Sequence, residues 1–573
     1  MAGQIGHAPQ PLASPYFSSV DVHVTAEPAT PSNPELVPST KRFAINTAAI
    51  WVQSVVTTLA AALLTPVVLA YLGDDGYGLT ELVTSIVQFT LMADLGIRAA
   101  LSRHLAEHIA TRNTLAVNQF FSSAVVFYLA VGGVVTAACV LAAPWIVSFF
   151  KVEESLVPAG IFLVRYYIGA SILLSFLAPA FDAVVEARHR FDLSNFAHIV
   201  EVIIRSLGIV IVLAGTSWGL YGWAAAMFIA RLAAICLLAW YAWQVWPELR
   251  GTWRYVNGRA MATLFSLGWM LVLNRIVSTV GIRTDPMVLS YFLTPAALAF
   301  YRPALLVVSA GSLFVFAVAR QVRPLAAGFY ATGQWDALSG LLVRSTRYGC
   351  LLGVLFSVML GGLAHPLIAF WLGPQIQRQD IAAWTLVAWA VAQVFTNAGI
   401  SHFHLLLGMN RIRFLVFFQS SLAVASLLAS IAVVAWMTHA GFGYWGVVGT
   451  VVPTAVVALI GRVVIVRHVA RQVHLPVQQY FRESYLGPLL VLGLLVVFAV
   501  LLNLVLPTVT GRDVTGIAVL VGGGTAIGLV WLALSWKLAL DDEDRDRFQD
   551  LGQRTFRKLA RPLRRKVRSD DSP

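Results

Sequence analysis

Charge is what this sequence has least of. Asp, Glu, Lys and Arg together make up 12% of its 573 residues, against 58% hydrophobic ones. A soluble chain carries about 25% charged residues. So small a share excludes a single soluble globular chain of this length and leaves lipid as the alternative solvent. Cysteine is almost as scarce: Cys139, Cys236 and Cys350 are the only three, each inside an apolar segment. That excludes a disulfide framework, and their spacing suits no metal. Residues 1–40 hold no Lys or Arg and are rich in Pro, Ser and Ala. Without a basic start and an apolar run they are not a secretory signal peptide, and they read as a disordered cytoplasmic N-terminal tail. No GxxxxGK[ST] phosphate loop is present, so no ATP hydrolysis is expected, and no cofactor either.

Long uncharged runs are abundant. Phe43–Gly73, Asn113–Phe150, Phe414–Gly461 and Val514–Trp536 carry no Asp, Glu, Lys or Arg. A membrane-spanning helix needs about 20 mostly apolar residues. That criterion predicts an all-α integral membrane protein with about 14 spans: 43–71, 79–97, 119–148, 157–181, 192–214, 218–244, 261–291, 298–319, 341–371, 381–407, 413–436, 443–466, 484–506 and 514–536. Alternate loops test the count, because cytoplasmic ones are rich in Lys and Arg. One set holds Arg98, Arg103, Arg112, Arg188, Arg190, Arg250, Arg254, Arg259, Arg320, Arg323, Arg411, Arg413, Arg462, Arg467, Arg471 and Arg482. The other holds Lys151, Arg378 and Arg512. The alternation stays in phase to the end, which predicts an even number of spans and both termini in the cytoplasm. The formal charge of +12 is thereby explained by topology, and no nucleic-acid partner is expected. The tail beyond Asp541 ends in Lys558, Arg561, Arg564, Arg565, Lys566 and Arg568, a basic run suited to anionic lipid headgroups.

The chain also repeats itself. Thr65-Pro-Val-Val-Leu-Ala-Tyr71 matches Asp285-Pro-Met-Val-Leu-Ser-Tyr291, and both stretches end an apolar span before a short turn. Six spans separate the copies, an even number, which predicts two parallel halves related by an axis along the membrane normal. The expected organisation is an N-terminal lobe over 41–245 (spans 1–6), a C-terminal lobe over 246–468 (spans 7–12), spans 13 and 14 over 469–537, and a cytoplasmic basic tail over 538–573. Pro66 and Pro286 each remove a helix hydrogen bond, which makes them hinge candidates.

Two stretches carry a family resemblance. Tyr71-Leu-Gly-Asp-Asp-Gly-Tyr-Gly-Leu-Thr-Glu-Leu-Val83 and Ala93-Asp-Leu-Gly-Ile-Arg-Ala-Ala-Leu-Ser-Arg103 resemble the "LGxxxYG" turn and "DLG…R" helix end of bacterial polysaccharide-biosynthesis flippases of the O-antigen translocase type. These belong to the multidrug/oligosaccharidyl-lipid/polysaccharide exporter superfamily. The second copy, Asp285 to Tyr301, is similar to the start of that family's second lobe, with Ala299 where glycine is frequent. The resemblance implies two six-helix lobes around a central cavity, often with two added C-terminal helices. It also implies a polyprenyl-diphosphate-linked oligosaccharide as substrate.

Charge inside a span needs a partner, a wet cavity or a function, because burying it costs at least about 2.5–3.5 kcal/mol. The candidates are Glu81, Asp94, Arg165, Glu201, Arg205, Arg231, Arg275, Arg283, Asp285 and Arg302. Asp94 with Arg98, and Glu201 with Arg205, are four apart and read as pairs on one helix face. Arg275 and Arg283, with Asn274 beside them, lie within about 80° of each other around span 7. With Arg165, Arg205 and Arg231 they are the candidates for holding a diphosphate, since arginine binds phosphate oxygens bidentately. Glu81, Arg302, Asp285 and Glu201 are the gate or ion-coupling candidates. Glu81 and Arg302 occupy matching places in the two repeats and are expected to approach each other near the outer end. His402 and His404 are two apart and point to different sides of a helix, so packing is expected rather than metal binding.

These features predict a flippase working by alternating access, with membrane lipids and polysaccharide polymerase or assembly proteins as partners. The alternatives are an ion-coupled multidrug antiporter of the same superfamily and a peptidoglycan-precursor lipid flippase. An enzyme is not expected, because the outer loops are too short to carry catalytic groups.

Overall fold

Lipid offers no partner for a backbone N–H or C=O, so long apolar runs coil into helices that satisfy these groups internally. A computed structural model of the chain describes residues 40–90, 97–266, 284–509 and 511–550. Every regular element among the described residues is helical. Among the described residues twelve helices are long and apolar enough to cross a bilayer, and the protein is an all-α, multi-pass membrane protein.

The first group comprises α1 (Thr40–Thr90), α2 (Ile97–Ala110), α3 (Thr114–Phe149), α4 (Glu154–Ala187), α5 (Phe191–Gly215) and α6 (Gly219–Val245). After α7 (Gly258–Ser266) the second group comprises α8 (Ala297–Ala319), α9 (Val322–Ala331), α10 (Trp335–Gly362), α11 (Ala364–Trp371), α12 (Gln379–Gly408), α13 (Ile412–His439) and α14 (Gly443–Gln472). Two further helices, α15 (Val477–Val505) and α16 (Val514–Ala539), follow, and residues 542–550 form a last described helical stretch. Every expected span except the seventh falls on these helices. Residues 267–283 of span 7 lie outside the described residues, as do 1–39, 91–96 and 551–573. Three spans differ in form from the expectation. The first two run together as α1, and the ninth is divided between α10 and α11.

Local chemistry sets the ends. The Asn113 side chain caps α3 by accepting from Ala116 N, and Asp513 caps α16 by accepting from Gly516 N. Such caps satisfy the first orphan N–H groups of a helix. His189 and Asn410 turn the chain in the left-handed region between α4 and α5 and between α12 and α13. Within α1 the backbone leaves helical geometry at Gly73 (φ 67°, ψ −177°), a conformation open essentially to glycine alone. The break therefore sits at Gly73, seven residues beyond the expected hinge at Pro66, which is buried within the helix.

In the first group α1 and α6 pack on α5, and α4 packs on α3 and α6. In the second, α14 packs on α12 and α13, and α12 packs on α8 and α10. α15 and α16 lean on α10 and leave a cavity of ≈ 750 Å³ toward α11 and α12, walled mostly by apolar side chains with His365, Asp380 and Asn503 among them.

α1 and α8 form the seam between the groups. Joining contacts fall toward the arginine-poor end. Trp371 Nε1 donates to Ala62 O at 2.8 Å, Gln377 N donates to Asp74 Oδ2 at 3.3 Å, and Phe149 packs on Tyr291 at 4.6 Å between centroids. Gly78 lies so close to the second repeat's turn that a Cβ there would meet Pro295 O at 2.1 Å. At the arginine-rich end the connector after α6 is tied to α3 instead. Asn118 Nδ2 donates to Glu248 O, Arg250 N donates to Asn118 Oδ1, and Asn257 N donates to Ser123 Oγ.

Candidate functional site

The repeat turns bring charge to the seam. Arg302 of α8 donates through Nε to Glu81 Oε2 of α1 at 2.6 Å, with about a fifth of each side chain exposed. Glu81 lies eight residues past Gly73, about 12 Å along the helix at 1.5 Å per residue. The matched segments are offset by 220 residues, so the strict equivalent of Glu81 is Tyr301 rather than Arg302. Tyr301 is itself used: its hydroxyl donates to buried Asp285 at 3.0 Å. Pro286 follows Asp285 in the helix 284–292.

A second polar array runs inside the first group. Arg98 of α2 pairs with Glu186 of α4 and lies 3.6 Å from Asp182. Asp182, buried, accepts from Ser194 at 2.6 Å and lies 3.5 Å from His198 Nε2. His198 Nδ1 lies 3.7 Å from Glu201 Oε2, the same oxygen that accepts from Arg231 Nη1 of α6 at 3.2 Å. The array starts at the arginine-rich end. Glu201, ten residues into α5, is about 15 Å along that helix.

One pairing differs from the sequence reading. Glu201 pairs with Arg231, thirty residues away on the next helix, and not with Arg205, which acts on it only through its field. Helix packing decides this, since a neighbouring helix offers a shorter approach than the next turn of the same one. The expected Asp94–Arg98 pair cannot be placed, because Asp94 lies outside the described residues; Arg98 also pairs across to α4.

The remaining expected site residues fall as follows. Asn274, Arg275 and Arg283 lie outside the described residues. Arg165 is exposed on a π-helical turn, Leu163–Ile168, within α4. Such turns often mark functional positions. His402 is buried and its Nε2 meets the hydroxyl of Tyr480, which also bonds Thr346, so it is a packing residue.

Sequence reasoning missed His198, Asp182, Glu186, Asp74 and Tyr301. His198 and Glu201 share a helix face at i, i+3, a signal that was legible. The others pair over long separations. A further cluster ties the stretch after α16 to α10. Arg347 of α10 donates to Asp541 and Asp544, each at 2.7 Å, and Tyr348 donates to Asp544.

Two groups of membrane helices meet along a seam of repeat turns, with ionisable side chains paired across it and within the first group. Solved structures share this fold. The inward-facing conformation of a multidrug resistance MATE family transporter superposes with a TM-score of 0.63 at 12% identity, over 73% of this chain and 95% of that one. The lipid II flippase MurJ in its inward closed conformation gives 0.62 at 13%, over 86% and 97%. Residues 43–324 match the family model described as polysaccharide biosynthesis protein. The uncharacterized membrane protein EpsK of Bacillus subtilis (strain 168) is 22% identical over 345 residues, 58% of this chain and 66% of that protein, so the chain spans just under two thirds of its relative. Just under half of the chain thus resembles the polysaccharide biosynthesis proteins, and its fold is shared with the MATE family transporter and with MurJ.

Proposed function

We propose that the protein moves a polyprenyl-diphosphate-linked oligosaccharide from the cytoplasmic to the outer leaflet of a bacterial inner membrane, for cell-surface polysaccharide such as O-antigen, exopolysaccharide or capsule. The observation that carries this reading is Arg165. It stands exposed eleven residues into α4, about 16 Å along the helix, and makes no ion pair with any described residue. A lone guanidinium at that depth is tolerated where it faces water and an anion. A diphosphate is such an anion, and a drug cation is not. Arg275 and Arg283 of span 7, outside the described residues, are further candidates for holding the diphosphate.

In this reading the two groups are lobes, and the arginine-rich loops are cytoplasmic by the positive-inside rule. Both termini then lie in the cytoplasm. The contacts across α1 and α8 close the outer end. Export requires the Glu81–Arg302 pair to break as the lobes rock. The lipid tail stays in the bilayer while the hydrated headgroup, too costly to pass through hydrocarbon alone, crosses between the lobes. Membrane lipids surround the path, and a polymerase or assembly protein receives the product.

The test is headgroup accessibility of a polyprenyl-diphosphate oligosaccharide in proteoliposomes, with lipid II as the competing substrate. Wild type is expected to expose the oligosaccharide headgroup on the opposite leaflet. Arg165→Ala and the Arg275→Ala/Arg283→Ala double variant are expected to slow this by at least about tenfold, equivalent to about 1.4 kcal/mol. Movement of lipid II alone would assign the protein to peptidoglycan synthesis. Movement of neither by wild type would remove the lipid-linked substrate class.

A further inference from the structure

The ring of His198 has a carboxylate at each nitrogen. Nε2 lies 3.5 Å from Asp182 Oδ2 and Nδ1 lies 3.7 Å from Glu201 Oε2. A neutral imidazole carries one N–H and one lone pair. It can satisfy one of these carboxylates while turning a lone pair toward the other. An imidazolium donates in both directions. The surroundings are therefore complementary to the charged ring.

Both carboxylate oxygens are also shared with an arginine. Glu201 Oε2 holds Arg231 Nη1 at 3.2 Å, and Asp182 Oδ2 faces Arg98 Nη2 at 3.6 Å. A proton on the ring thus competes with each arginine for one oxygen. The other charged groups around the ring are Glu186 of α4, paired with Arg98, and Arg205 of α5. Asp192 at the start of α5 is engaged by Arg190. Tyr167 of the π-helical turn lies near Arg231 and Glu201. From α1, which packs along α5, come Asn46, whose amide donates to His189 O, and Arg42 near the same end. With a neutral ring, Asp182, Glu186 and Glu201 match Arg98, Arg205 and Arg231 in charge. A proton leaves one positive charge in excess.

We infer that His198 is a proton-binding site whose charge sets how tightly Glu201 holds Arg231, and so whether Arg231 is available to a phosphate group. The inference rests on the anionic lipid-linked substrate proposed above. Imidazole is the side chain whose ordinary titration falls near neutral pH. When the ring gains a proton, Glu201 Oε2 is drawn toward Nδ1, its hold on Arg231 weakens, and the freed guanidinium can take a diphosphate oxygen. By linkage the bound anion strengthens proton binding by the same factor. Proton and anion are carried together, so the site compensates the charge of the headgroup. His198 is a positioning residue, acting on the anion through Glu201 and Arg231.

Two measurements on the full-length protein in nanodiscs test this. The first needs no ligand: ¹⁵N-histidine NMR, with the His198 signal assigned by its loss in His198→Gln. The signal is expected to titrate between about pH 5.5 and 10, a window that reaches above the ordinary imidazole range because two carboxylates face the ring, and to move in Glu201→Gln. A signal that does not titrate overturns the proton site. The second is binding of inorganic pyrophosphate over the same range. Wild type is expected to bind about tenfold more tightly at the acid end, within the ordinary span of coupling between two sites. His198→Gln should bind weakly at every pH, His198→Arg should bind tightly at every pH, and a folded Arg231→Ala should lose the response. Rescue by the permanent charge in His198→Arg is not expected of a merely structural histidine. A His198→Gln variant that keeps the wild-type pH dependence overturns the inference. If wild type binds no pyrophosphate, the link to Arg231 fails, and transport of the lipid-linked sugar decides the substrate reading separately.

Discussion

Arg302 reaches Glu81 across the seam between α1 and α8, Nε to Oε2 at 2.6 Å. Neither residue is more than about a fifth exposed. Removing one partner of such a pair leaves the other charge buried and uncompensated, a loss of about 3–5 kcal/mol when burial is complete. Glu81→Arg and Arg302→Glu are each expected to block headgroup movement. The double swap restores the opposite charges and should recover most of it. Cysteine cross-links between the turns near Asp75 and Thr294 report closure of this end in parallel. Failure of the double swap to recover either readout removes the clasp role.

Gly78 makes the same seam sterically possible. A Cβ there would sit 2.1 Å from Pro295 O, a backbone atom that cannot rotate away. Gly78→Ala is expected to push the turns apart and lower thermal stability, with a loss of about 1–3 kcal/mol for overpacking. Gly133 of α3 has nothing within 4 Å of its would-be Cβ, so Gly133→Ala should be neutral or slightly stabilising. Melting curves of the two purified variants settle the comparison, and equal melting points would contradict it.

The bend in α1 offers two positions for a moving joint. At Gly73 the backbone occupies φ 67°, ψ −177°, where a side chain costs about 1–3 kcal/mol. Gly73→Ala should therefore impair both stability and transport. Pro66 lies within regular helix, and Pro66→Ala regains a backbone donor, so it should raise stability while slowing transport only if the proline itself flexes. Loss of transport in Pro66→Ala with an unaffected Gly73→Ala would place the hinge at the proline.

The described end of the chain is held by charge. Burial pushes the Asp541 carboxyl up, but the hydrogen bond and charge of Arg347 and the hydrogen bonds with Asp544 together outweigh it and hold the group below its ordinary value of 3.8. A depressed carboxyl contributes stability above its unfolded value and loses it as pH falls through the folded one. The end should thus stay docked through neutral pH and loosen only below about pH 4. Asp544, fully buried between Arg347 and Tyr348, carries more of the attachment. Asp544→Ala should free the end at neutral pH. A spin label on Gln549→Cys, with exposed Cys236 replaced, reads both. An immobile label in Asp544→Ala would show that α16 alone positions the end.

Much of this was legible in the residues themselves. Uncharged runs such as Asn113–Phe150 announced their helices, and the matched turns at Tyr71 and Tyr291 announced the seam. The approach of Glu81 to Arg302 could be read from the repeat, though the true equivalents are Glu81 and Tyr301. Pairings inside the first group were not legible. Glu201 meets Arg231 across 30 residues and Arg98 meets Glu186 across 88.

The sequence by itself determined that the chain is helical, that it lies in lipid, and that its arginines gather at one end. Each of these follows from solvation, which acts on every residue wherever its neighbours are. Only the tertiary structure decided that His198 stands between Asp182 and Glu201, and that Gly78 must lie bare against Pro295. Ion pairing and close packing depend on distances of a few ångströms between helices. Those distances are set by how α1, α4, α5, α6 and α8 come together, and not by what each helix contains.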